Sequence, residues 1–145
     1  MSDKHNYEVN LQWNSDRKGT LRSPVLTNEI EVATPPDFPK GMEGIWSPEH
    51  LFVAAVNSCL MTTFLAIAEN SKLEYLSFEC NAVGIVEKVD GKYVVTEVIL
   101  KPKLTIPESQ HVDRAKRIIE MGEKACLISN SIKSKITLEP VVEVK

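Results

Sequence analysis

The sequence predicts an α+β fold in which antiparallel sheet surrounds a buried central helix, and three observations carry that prediction. Ser47 to Asn70 is a helix-length stretch with no charged residue between Leu51 and Ala68. Segments before and after it, Tyr7 to Trp13 and Glu74 to Lys88, alternate apolar and polar side chains with the period of a strand. Ser109 to Ala125 returns to helical spacing, and the apolar run ITLEPVVEV follows.

In chain order, Tyr7, Val9, Leu11 and Trp13 share one face opposite Glu8, Asn10 and Gln12, which predicts a half-buried first strand. NSDRKG, residues 14 to 19, is a polar turn holding Arg17. Thr20 to Ser23 and Glu29 to Ala33 complete an N-terminal antiparallel meander. TPPDFPKGMEGIW, residues 34 to 46, holds three of the eight prolines and two of the six glycines, so it reads as a loop. Ser47 can cap a helix, Pro48 suits its first position and Glu49 its positive end. Leu51, Phe52, Ala55, Val56, Leu60, Phe64, Leu65 and Ile67 then point in every direction around a 3.6-residue period, so this helix is expected to be buried on nearly all sides. A membrane span is the competing reading, but Asn57, Ser58, Thr62 and Thr63 interrupt the run and acids flank it. Beyond the helix, Leu76, Phe78, Cys80 and Ala82 form one face of a strand over Glu74 to Lys88. Asp90-Gly91 turns it into a partner, Lys92 to Ile106, with Val94, Val98, Leu100 and Leu104 inward. Pro107 ends that strand. The helix over Ser109 to Ala125 has Val112, Ala115, Ile118, Ile119 and Gly122 as its inner stripe. CLISNS reads as a turn or short helix, and Lys135 to Val144 as a closing strand.

With 145 residues, the chain is expected to form one domain, residues 1–145. A formal net charge of -3, with Lys and Arg spread along the chain, argues against a nucleic-acid surface or a polybasic membrane patch. The N-terminal MSDKHNYEVN has no apolar signal core, so a cytoplasmic protein is expected. Three scattered cysteines do not make a disulfide framework. His5, His50 and His111 have no ligand-spaced partner, so no metal or other cofactor is expected. Cys80, in phase with Leu76 and Phe78, reads as core. An all-round apolar helix exceeds what one sheet can cover, which predicts a homodimer sharing a core near the Cys59 helix.

Two motifs, SPEHLFVAAVNSCL at 47 to 60 and KACLISNSI at 124 to 132, resemble those of the OsmC/Ohr family of thiol-dependent peroxidases, and the resemblance spans nearly the whole chain. Glu49 and Cys59 match the family's Pro-Glu helix start and its reactive cysteine ten residues on. Cys126 with Ser129 matches its second cysteine, and Arg17, or alternatively Arg22, its early arginine. The resemblance implies an OsmC-like fold and an intertwined homodimer with two sites at the subunit interface. It also implies reduction of organic hydroperoxides through a cysteine pair, reset by a dithiol reductant.

The chemistry of the residues agrees in kind. A peroxidase needs a thiolate, and apolar surroundings raise a thiol's pKa, so Cys59 needs a stabilising partner. Arg17 is the expected cation, with Glu49 orienting it. Trp46 and Phe52 are the apolar side chains expected to line a substrate pocket. Cys126 would condense with the sulfenic acid left on Cys59. On one straight helix Glu49 and Cys59 lie about 15 Å apart along the axis, which suggests that each site combines Cys59 of one subunit with Glu49 and Arg17 of the other. The alternative is a non-catalytic dimeric module that binds a small apolar ligand, with its cysteines simply packed.

Overall fold

In the computed structural model, which describes residues 3–145, the chain forms two compact units, one ending at Leu51 and the other beginning at Phe52. Each is described by itself.

The first unit carries a three-stranded antiparallel sheet in the order β1-β2-β3: β1 (Asn10–Ser15), β2 (Lys18–Arg22) and β3 (Ile30–Ala33). Asp16 takes a left-handed φ of 48° in the tight turn between β1 and β2. Trp13 Nε1 donates to the Asp16 carbonyl at 3.0 Å and Thr20 Oγ1 to Asn14 Oδ1 at 2.7 Å, so the turn is locally fixed. The first strand differs from expectation: it begins at Asn10, and its apolar row is not half-buried. Trp13 is 72% exposed and Leu11 67%, because within the unit β1 pairs at one edge and none of the described residues covers its face. The Pro-rich loop is ordered by its own backbone bonds, including Met42 N–H to the Thr34 carbonyl at 2.9 Å.

Helix α1 (Pro48–Asn70) starts where the cap signals place it. The His50 N–H donates to Ser47 Oγ at 3.1 Å, and Ser47 is fully buried. It stops with Lys72 at φ 56° and the Leu73 N–H returning to the Ala68 carbonyl at 2.9 Å.

In the second unit, β4 (Ser77–Val89) and β5 (Lys92–Ile106) pair antiparallel through the Asp90-Gly91 turn, where φ values of 50° and 81° explain the Gly. Helix α2 (Val112–Ala125) follows a short 3-10 turn at Ser109–His111. The closing segment is two strands, not one: β6 (Lys135–Leu138) and β7 (Val141–Val144), both parallel to β5. This sheet is therefore mixed, not wholly antiparallel. The reason is the crossover: α2 carries the chain back to the start of β5's edge, so the next strands run in β5's direction. Pro102 sits inside β5 between the last β6 pair at Leu100 and the first β7 pair at Lys103, where a missing N–H costs no ladder bond on that edge.

Buried alternation along β5, Val98, Leu100, Leu104 and Ile106, faces α1. Val56, Leu60, Phe64 and Ala68 form the matching stripe of α1, one turn apart, and Ala115, Ile118 and Ile119 of α2 close over its C-terminal half. Phe64 stacks on Phe78 with centroids 4.8 Å apart; a buried aromatic of this kind contributes about 1.5–3 kcal/mol. At Gly122 an added Cβ would lie 3.3 Å from Phe64 Cα, so α2 approaches the α1 backbone closely there. Arg114 also donates to the Ser71 carbonyl, tying the start of α2 to the end of α1. Contrary to the all-round expectation, the single chain buries only that stripe. Ser58, Thr62 and Ala66 are exposed, and Met61 is 41% exposed. By length and composition α1 could cross a bilayer, yet its inner face is already spent on β5 and α2.

Candidate functional site

Cys59 lies one residue before Leu60 on α1, turned from the buried stripe toward the segment that follows α2. That segment is a tight turn. Cys126 is the fully buried residue at the α2 C-terminus, with φ -65° and ψ 117°. Its carbonyl accepts the Asn130 N–H at 3.0 Å, and Ile128 O accepts the Ser131 N–H at 3.0 Å. Leu127 O accepts from Ser131 Oγ at 2.8 Å. Asn130 Nδ2 also donates to the Lys124 carbonyl at 3.1 Å, anchoring the turn to α2. These bonds make the 126–131 backbone a fixed platform, and the close approach at Gly122 sets it against α1.

The two sulfurs face one another, and both are free thiols. Burial pushes the Cys59 thiol up. The opposing influences outweigh it: Cys126, the Ile128 backbone N–H, Thr63 and the Leu127 backbone N–H all favour the thiolate, and the net direction is down. Cys126 goes the other way. Burial raises its pKa first, and the neighbouring Cys59 sulfur raises it further, with Ser129 holding part of the shift back. Ser129 Oγ is itself buried without a hydrogen-bond partner in good geometry among the described residues. The pair thus holds one thiolate-prone and one protonated sulfur, the arrangement needed for one to attack and the other to condense afterwards.

Cys80 behaves as the sequence predicted for a packed residue. On β4, paired with Pro102, it is half-buried, and burial pushes its thiol up to about 11. Asn57 Nδ2 of α1 donates to the Cys80 carbonyl at 2.9 Å, while Asn57 Oδ1 is buried without a partner among the described residues. A cavity of about 300 Å³ opens beside them, lined by Ala54, Asn57, Met61, Phe78 and Cys80 among others.

The remaining predicted residues stand as follows. Glu49 is in the first turn of α1, half-buried, and its Oε1 is buried with no hydrogen-bond partner among the described residues. Arg17 is exposed in the β1-β2 turn and makes no ion pair among the described residues. Arg22, the other candidate, is committed to Glu29 by an ion pair and to Gln12 Oε1 at 3.1 Å. Trp46 is 53% exposed and meets the His50 ring edge-on, with centroids 6.1 Å apart. Phe52 packs against the cluster of Val56, Leu60, Val98 and Leu100. Among the described residues no group of three or more His, Cys, Asp or Glu side chains is arranged to hold a metal ion. Sequence reasoning missed Thr63 and the Leu127 and Ile128 amides. Thr63 carried a signal, its four-residue spacing from Cys59 on a helix; backbone amides carry none.

Residues 41–141 match the family model described as OsmC-like protein. The uncharacterized protein YmaD of Bacillus subtilis (strain 168) is 27% identical over 152 residues, covering 100% of this chain and 97% of its own. Among solved structures, an OsmC-like protein of unknown function from Vibrio cholerae is similar with a TM-score of 0.86 at 25% identity, covering 95% of this chain and 100% of that one. An organic hydroperoxide resistance protein from Elizabethkingia anophelis gives a TM-score of 0.78 at 20% identity, with 100% of both chains covered. At that identity the likeness is one of fold.

Proposed function

We propose, because this chain belongs to the OsmC-like protein family, that it is a cysteine-based peroxidase that reduces organic hydroperoxides to alcohols. The observation that carries this reading is the facing pair Cys59 and Cys126, with one thiol driven toward the thiolate and the other away from it. The Cys59 thiolate attacks the outer peroxide oxygen. The O–O bond breaks, the alkoxide leaves and takes a proton to become the alcohol, and Cys59 becomes a sulfenic acid. The Cys126 thiol then displaces water from that sulfur, giving a Cys59–Cys126 disulfide. An external dithiol restores both thiols by exchange.

Arg17 and Glu49 complete the proposal. Arg17 steadies the leaving alkoxide and Glu49 orients the guanidinium. That Arg22 is already paired with Glu29 favours Arg17 over it. The orphaned, buried Glu49 oxygen supports a cation reaching it, since a carboxylate is costly to bury unpaired. A homodimer would supply that cation from the second subunit and would cover the exposed Met61 face of α1. Trp46 and Phe52 would line the apolar approach. We assign the protein to the cytoplasm, where dithiol reductants are present.

The test is consumption of cumene hydroperoxide with dithiothreitol as reductant, run beside hydrogen peroxide. Faster turnover of the organic peroxide, lost in Cys59→Ser, supports the reading; no turnover by the folded wild type sinks it. Mixed dimers of Cys59→Ala and Glu49→Ala chains test sharing between subunits, since they regain activity only if one site draws on both. The 300 Å³ cavity beside Asn57 favours a second reading, a ligand-binding module. In that case Cys59 would resist alkylation until unfolding.

A further inference from the structure

A hydroxyl inside a helix ordinarily donates to the carbonyl four residues back. Ser58 does so, with Oγ 2.7 Å from Ala54 O. For Thr63 that carbonyl is Cys59 O, but Thr62 Oγ1 already donates to it at 3.2 Å. Thr63 Oγ1 lies instead 3.8 Å from Cys59 Sγ, a hydrogen-bond distance for sulfur. Across the sulfur, the 126–131 turn spends its carbonyls on Asn130 and Ser131, while the Leu127 and Ile128 N–H groups have no carbonyl partner among the described residues and favour the Cys59 thiolate.

We propose that Thr63 is a positioning residue for the Cys59 thiolate, its hydroxyl donating to Sγ from one helical turn away while the Leu127 and Ile128 amides donate from the turn that carries Cys126. The thiolate is then held by neutral, fixed donors. Among the described residues of this chain, the titratable group facing it is Cys126, and the groups that favour the thiolate belong to α1 and the 126–131 turn. This rests on the peroxidase reading only for the use made of the thiolate, not for its existence.

The experiment is the pH dependence of Cys59 alkylation by iodoacetamide, read by peptide mass, with folding checked by circular dichroism. In Thr63→Val the midpoint is expected to rise by about one pH unit, a tenfold smaller thiolate fraction below it. Thr63→Ser should restore the wild-type midpoint. Leu127→Pro removes one amide donor; Leu127 is 68% exposed, and Cys126 already has the extended ψ that a following proline requires. Its midpoint should rise as well. A folded Thr63→Val with the wild-type midpoint overturns the proposal, as does a Thr63→Ser shift equal to that of valine. A shifted midpoint in a protein whose Cys59 ignores cumene hydroperoxide would sink the peroxidase reading and leave this inference standing.

Discussion

Cys59 and Cys80 both belong to the second unit, both are half-buried and both are free thiols, yet their environments drive them in opposite directions. Cys80 sits on the edge strand β4, where the Lys101 backbone N–H offsets only part of the desolvation, and desolvation dominates. Cys59 sits on a helix opposite a turn with unspent amides, and beside a hydroxyl freed by its neighbour. Burial is common to both. What separates them is how many donors reach the sulfur: one backbone N–H at Cys80, against Cys126, Thr63 and the Leu127 and Ile128 amides at Cys59.

The largest expected effect that could break this contrast is on turnover. Cys59→Ser should lower peroxide reduction by about a thousandfold or more, while Cys80→Ser leaves it within about twofold; comparable losses from both would abolish the distinction. Cys126→Ser should still consume one equivalent of peroxide but fail to recycle. With a second equivalent of peroxide its Cys59 should progress to sulfinic acid, seen by intact mass. Next comes the packing that holds the junction. Leu60→Ala, fully buried beside Cys59, should cost about 2–5 kcal/mol in urea unfolding, whereas Leu127→Ala, exposed, should stay within about 0.5 kcal/mol.

The smallest effect is on the pH dependence of stability. Cys80 keeps its proton in the fold until about pH 11, while the unfolded chain loses it near the ordinary thiol value. Between those values the unfolded state holds fewer protons, so stability falls as pH rises. Cys80→Ala should flatten that fall. Cys59, lowered in the fold, gives the opposite slope below the ordinary value: the unfolded state holds more protons there, and stability rises with pH.

Much of the frame could be read from residue patterns. The cap at Ser47, the uncharged run, the Asp90-Gly91 turn and the inner stripe of α2 were each specified by local chemistry, and the OsmC/Ohr resemblance is borne out by the family match. Parallel pairing of β6 and β7 was hidden, because the alternation in ITLEPVVEV is the same for either strand direction. The exposure of β1 was hidden too, since an apolar row shows only that a face can be covered, not that its own chain covers it. Within the candidate site, the motifs single out Cys59 and Cys126, which the fold sets against each other. The donors around Cys59 were not legible, because amides leave no mark on side-chain identity and Thr63 depends on what Thr62 does.

The central claim is that Cys59 and Cys126 act as a redox pair, and peptide mapping by mass after one equivalent of cumene hydroperoxide tests it most directly. The account predicts rapid loss of two hydrogens, mapped to a Cys59–Cys126 bridge, with Cys80 still a thiol. An unoxidised Cys59 in a folded protein, or a bridge that uses Cys80, would contradict it.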